Sequence, residues 1–289
     1  MNVILQPVEN PDGAAIAYEL QKLTPTHMLH AGRYTALGMD VGSQVNLHDP
    51  LLPEALVRGR LWRDWLPDIY LNAHGYPSHE WVQRFAGYVP AAFKGDWTPR
   101  GFHTRVSGLR DPRYPGHAQV LDALREGIVR EVNAHADVKA MNLRYQARYR
   151  RWAFGFGPHL RNQEIYKDTA IYYTDPESGE PLGPRRAGAS TFGAAGPDGR
   201  LPMGAWPQVT FYSAVSEVPD ETAHGRSLEV VVQAAFSNMM AAIKFLRDGQ
   251  YEVERIEEDA GRDATARTLL RVRPVLPARR GQPVATDGK

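Results

Sequence analysis

Along the chain, apolar positions group into short runs and into stripes with a helical repeat. Val3-Ile4-Leu5 is a strand-length apolar run closed by Pro7 and the turn-forming "ENPDG", and it predicts a buried strand beginning almost at Met1. Ala14 to Leu23 is patterned as a helix, and so is Leu51 to Trp65, which stops before Pro67. Ile69 to Ala73 is a second strand-length run. Gly116 to Trp152 carries the strongest helical pattern, because Leu121, Leu124, Ile128 and Val132 recur at three and four residues and share one face. From Ala153 to Pro207, Gly and Pro dominate, in "SGEPLGPRRAGAS" and "AAGPDGRLPMGAWP", which predicts loops with room for a hairpin. "QVTFYSAVS", Gln208 to Ser216, is strand-like in its aromatic and β-branched content. Ser227 to Leu246 is a helix with Ser227 as its N-cap candidate, and Leu269 to Val275 is a last strand.

Strands that are mostly apolar and alternate with helices predict an α/β fold: a mixed, mostly parallel central sheet flanked by helices. With no repeat and no linker composition, the chain reads as one domain over residues 1–275. That domain carries a loop-rich insertion at about 153–207 and is followed by a disordered tail over 276–289. A strand that starts at Met1 implies that the fold is N-terminally incomplete, since chains commonly open with a few loose residues.

Composition narrows the chemistry. Among 289 residues there is no cysteine, which excludes disulfides, thiolate metal ligands and a cysteine nucleophile. A formal net charge of +1 provides no global field for nucleic acid or an anionic membrane. No run approaches the roughly 20 apolar residues of a membrane span, and no signal pattern opens the chain, so no compartment is assigned.

The candidate chemistry lies at three strand ends. The first strand runs into "NPDG" (Asn10 to Gly13), the second into His74-Gly75, and the third into Glu217. In open α/β sheets ligands bind outside the carboxyl ends of the strands, so parallel neighbouring strands would bring His74 and Glu217 to one cleft. An imidazole and a carboxylate there suit a metal ion and a base for water. Each also has a plain structural reading: a hydrogen-bonded histidine, an exposed strand-end charge, and a turn built from turn-forming residues.

Taken in order, "P-x-x-NPDG", "G-x-D", "D-x-x-L-x-x-HG" and a strand ending in Glu217 resemble the zinc metallocarboxypeptidases of the carboxypeptidase A type, over roughly Met1 to Leu246. The resemblance implies a mixed sheet flanked by helices and a zinc cofactor. It also implies a peptide or small amide substrate, with no nucleic-acid or membrane partner. It makes His74 a zinc ligand and Glu217 the general base. It places His30 and Arg33 of "HMLHAGR" where the family has its oxyanion arginine and a neighbouring one. Three departures stand beside it. None of the ten histidines is followed by Glu at the third position, so the family's "H-x-x-E" motif, with two of the three zinc ligands, is absent from the chain. Gly42 and Ser43 occupy the places of the Asn-Arg pair that grips a terminal carboxylate, a bidentate contact that serine does not replace. The segment between His74 and Glu217 is expanded. The competing reading is a non-catalytic chain, a pseudoenzyme or truncated product that keeps the cleft for binding.

Other candidates are His79, as a residue supporting the site, and His224, in the loop after the proposed base. "RYQARYRRW", Arg144 to Trp152, mixes arginine with aromatic residues. That composition fits either a nucleic-acid patch or a solvated helix face with stacked Arg and Tyr.

Overall fold

The computed structural model describes residues 1–26, 31–44, 50–65, 67–76, 101–107, 115–152, 165–174, 212–220, 223–248, 251–258 and 267–274. The first helix, α1 (Pro11–Leu23), starts where its sequence offers every N-terminal device. Asn10 caps it by accepting from the Gly13 N–H at 3.0 Å, Pro11 opens it, and Asp12 sits in the first turn. Two short 3-10 turns, Ala31–Arg33 and Val41–Ser43, and helix α2 (Pro53–Trp65) follow.

Among the described residues, five strands form the main sheet: β1 (Ile69–Tyr76), β2 (His103–Ser107), β3 (Ile165–Tyr166), β4 (Thr169–Thr174) and β5 (Tyr212–Pro219), in the order β1-β5-β2-β4-β3. The β1–β5 and β2–β4 pairs are parallel, while β2–β5 and β3–β4 are antiparallel. The mixed α/β architecture is as expected, but its pairings divide evenly where mostly parallel ones were expected. One of the two antiparallel pairs, β3–β4, has a local reason. β3 and β4 join through Lys167 and Asp168, both at positive φ, in a two-residue hairpin turn that only antiparallel strands can use.

Helices α3 (Pro115–Asn133), α4 (Ala136–Trp152) and α5 (Arg226–Arg247) cover one face of the sheet. The predicted stripe of Leu121, Leu124, Ile128 and Val132 is buried there with Phe102, Val106, Tyr212, Ala214 and Val218 from the sheet. The single helical stretch expected over 116–152 is two helices, broken between Asn133 and Ala136. Helix α5 reaches the length and hydropathy of a membrane span, which composition did not suggest, but its Val231, Ala234, Ala241 and Phe245 lie in this core. Its N-cap is Gly225, not Ser227. The Ser227 hydroxyl instead turns back to donate to the His224 carbonyl at 2.7 Å. A separate antiparallel hairpin of β6 (Tyr251–Glu258) and β7 (Arg267–Pro274) includes the predicted last strand and one that its charge-rich pattern concealed.

Val3-Ile4-Leu5 is not a buried strand. Val3 and Leu5 are 55% and 77% exposed, and the segment has no ladder partner among the described residues. An apolar run supplies β-propensity, but a strand exists only where a partner meets its N–H and C=O groups. The inference of a missing upstream strand therefore loses the observation behind it. The loop-rich insertion is described only at 165–174, and the tail at 276–289 lies outside the described residues.

Candidate active site

Strand alternation sends Tyr212, Ala214, Ser216 and Val218 toward the helices and leaves Val215 and Glu217 on the opposite face. β1 pairs with β5 in parallel with His74 directly opposite Glu217, so both side chains leave the sheet on the same side. They meet: His74 Nδ1 lies 3.0 Å from Glu217 Oε2. Both residues sit within their strands, two positions before the end, and not at the end itself as the sequence suggested. The Glu217 side chain is 8% exposed and that of His74 is 45% exposed, so the pair opens to solvent at the imidazole. The hydrogen bond to Glu217 raises the His74 pKa above its ordinary 6.5, against desolvation and the Arg33 cation, which push it down.

Gly75 explains itself in the same geometry. A Cβ built there would fall 1.7 Å from Asp220 Oδ2, so the carboxylate after β5 occupies the space a side chain would need. The "HG" pair is thus a histidine aimed at Glu217 and a glycine that admits Asp220 behind it.

"NPDG" is a helix start, and it has a second task. The Asn10 side-chain amide donates to the Gly32 carbonyl at 2.9 Å, anchoring the turn that carries Arg33. Arg33 pairs with Asp40 at 2.8 Å and lies close enough to His74 for its charge to be felt there. Asp40 also accepts from the Gly42 N–H at 2.8 Å, capping the tight turn Val41–Ser43. The structure therefore brings His74, Glu217 and Arg33 into one neighbourhood. His30 and His79 lie outside the described residues. His224 is in the loop before α5, its backbone bonded to Ser227. Arg144, in α4, stacks over Tyr145 with its guanidinium 5.4 Å from the ring centroid.

Sequence reading missed His103. It stands opposite Glu217 on the other side of β5, is 1% exposed, and packs against Tyr76 with ring centroids 5.3 Å apart. Tyr76 in turn donates to the Gly101 carbonyl at 2.9 Å. The available signal was the alternation of "GFHTRVS", which sets His103 on the face opposite buried Phe102 and Val106.

A catalytic zinc needs three protein ligands. The row across the sheet holds two imidazoles, His74 and His103, on either side of the Glu217 carboxylate, yet among the described residues no group of three or more His, Asp or Glu is positioned to hold a metal ion. The described set does not fit such a site. Comparison with family models, with curated proteins and with solved structures finds no match to this chain.

The pair makes a pH prediction. A raised folded-state pKa means that the imidazolium–carboxylate contact stabilises the fold fully below the unfolded histidine value near 6.5, and that this contribution is lost as pH rises through the folded value. The difference in melting temperature between wild type and Glu217→Gln is therefore expected to be larger at about pH 6 than at about pH 9. Equal differences at both would show that the contact does not depend on the charge of His74.

Proposed function

We propose that the chain is a carboxypeptidase-like hydrolase domain whose site acts on a peptide or small amide. The observation that supports this most is the in-register pairing of His74 with Glu217, beside Arg33, in the order along the chain that the resemblance requires. Glu217 is the base. Its carboxylate accepts the proton of the attacking water as the oxygen bonds to the amide carbon, and the proton then passes to the nitrogen as the C–N bond breaks. Arg33 contributes positive charge on the side where the carbonyl oxygen becomes negative. In this reading His74 is one zinc ligand, and the described residues do not supply the others.

A second reading has its own support. His74 and Glu217 already satisfy each other, and the described residues complete no metal site, which suits a binding cleft that retains the geometry without turnover. Equilibrium dialysis against zinc separates the two. The chain alone is expected to bind zinc weakly, with a dissociation constant on the order of micromolar or above, and His74→Ala is expected to abolish that binding. Protons should be released on binding, because the metal must take the place of the proton on His74. Tight stoichiometric binding that survives His74→Ala would place the metal elsewhere and remove His74 from the proposal.

A further inference from the structure

Helix α4 presents Asn142 and Gln146, one turn apart, to the starts of β2 and β4. Asn142 Oδ1 accepts from the Phe102 N–H at 2.8 Å, and Gln146 Nε2 donates to the Asp168 carbonyl at 2.8 Å. These bonds fix which way each amide points, so Asn142 is left with a donor, Nδ2, and Gln146 with an acceptor, Oε1. Both atoms are buried without a hydrogen-bond partner among the described residues, as are the hydroxyls of Thr104 and Thr169. All four residues are at most 1% exposed. They lie on the helix-facing side at the starts of β2 and β4. Thr104 shares the helix-facing side of β2 with Phe102, and Thr169 precedes Ala170, the register partner of His103, which sets Thr169 beside Phe102.

We infer that this patch is a binding site for ordered water. The set holds one donor, one acceptor and two hydroxyls that serve as either, which matches the two donors and two acceptors of a water molecule. It carries no charge. A cation would be repelled by the Asn142 N–H and an anion by the Gln146 carbonyl oxygen, so neither ion fits. A water there ties α4 to the starts of β2 and β4, and β2 begins with His103, the neighbour of Glu217. The site is independent of any hydrolytic reading of His74 and Glu217.

Thr104→Val and Thr169→Val test it, because valine keeps the shape and removes only the hydroxyl. Each variant is expected to melt about 2–4 °C below wild type. The double variant should lose less than the sum of the two, since both hydroxyls hold the same water. A high-resolution crystal structure of the wild type should show water within about 3.2 Å of at least two of the four atoms. Valine variants that melt at or above wild type, which is the result expected when an unmatched buried hydroxyl is removed from a dry patch, would overturn the inference. So would electron density showing the patch filled by protein atoms alone.

Discussion

Under the proposed function, Glu217→Gln is expected to lower amide hydrolysis by about two orders of magnitude, the lower end for loss of a general base. Glutamine keeps the size of the side chain and an oxygen facing His74 Nδ1, but it cannot take a proton from water. The same change removes the charge that holds the His74 pKa up. An NMR titration should therefore show His74 titrating lower in the variant than in wild type, whether or not the chain turns over substrate. The two readouts divide the possibilities. A shifted titration with unchanged hydrolysis would keep the pair and remove Glu217 as the base. An unshifted titration would deny the contact itself.

Gly13→Ala should destabilise the fold, although helix propensity alone argues the other way. Within a helix, alanine is favoured over glycine by about 1 kcal/mol. At this position the added Cβ would lie 2.6 Å from the Gly32 carbonyl oxygen, 2.8 Å from that of Tyr34 and 2.3 Å from Asn10 Nδ2. Two of these three neighbours are backbone and cannot swing aside. Crowding of this kind costs about 1–3 kcal/mol, and disturbing the Asn10 cap costs about 1 kcal/mol more. The net loss is about 1–3 kcal/mol, which lowers the melting temperature by several degrees at roughly 2–4 °C per kcal/mol. Gly32→Ala is the control, since its Cβ would meet only Ala17 Cβ at 3.8 Å and the Gly13 carbonyl oxygen at 3.9 Å, ordinary contact distances. Displacing the Arg33 turn should also release the downward push on His74, so its pKa should rise further in Gly13→Ala. Equal melting temperatures for wild type and Gly13→Ala would mean that the bracket between α1 and the Arg33 turn does not form.

Much of the helical framework was legible along the chain, because a helix satisfies its backbone within itself and so depends on nearby residues. The stripe from Leu121 to Val132, the breaks at Pro67 and around "NPDG", and the apolar length of α5 all act within a few residues of one another. Strands are different, because their hydrogen bonds lie in another part of the chain. Val3-Ile4-Leu5 has the composition of a strand and no partner, whereas charged "YEVERIEE" is a strand because "RTLLRVRP" lies against it. The same division holds at the site. Sequence alone singled out His74 and Glu217 as residue types suited to one chemistry, and the family resemblance added His30 and Arg33. Only the tertiary structure decided that His74 and Glu217 stand opposite each other across 143 positions of chain, and that Arg33 is held near them by Asn10. His103 joins the row for the same reason: register between strands far apart in sequence is set by how whole elements pack, and no local pattern encodes it.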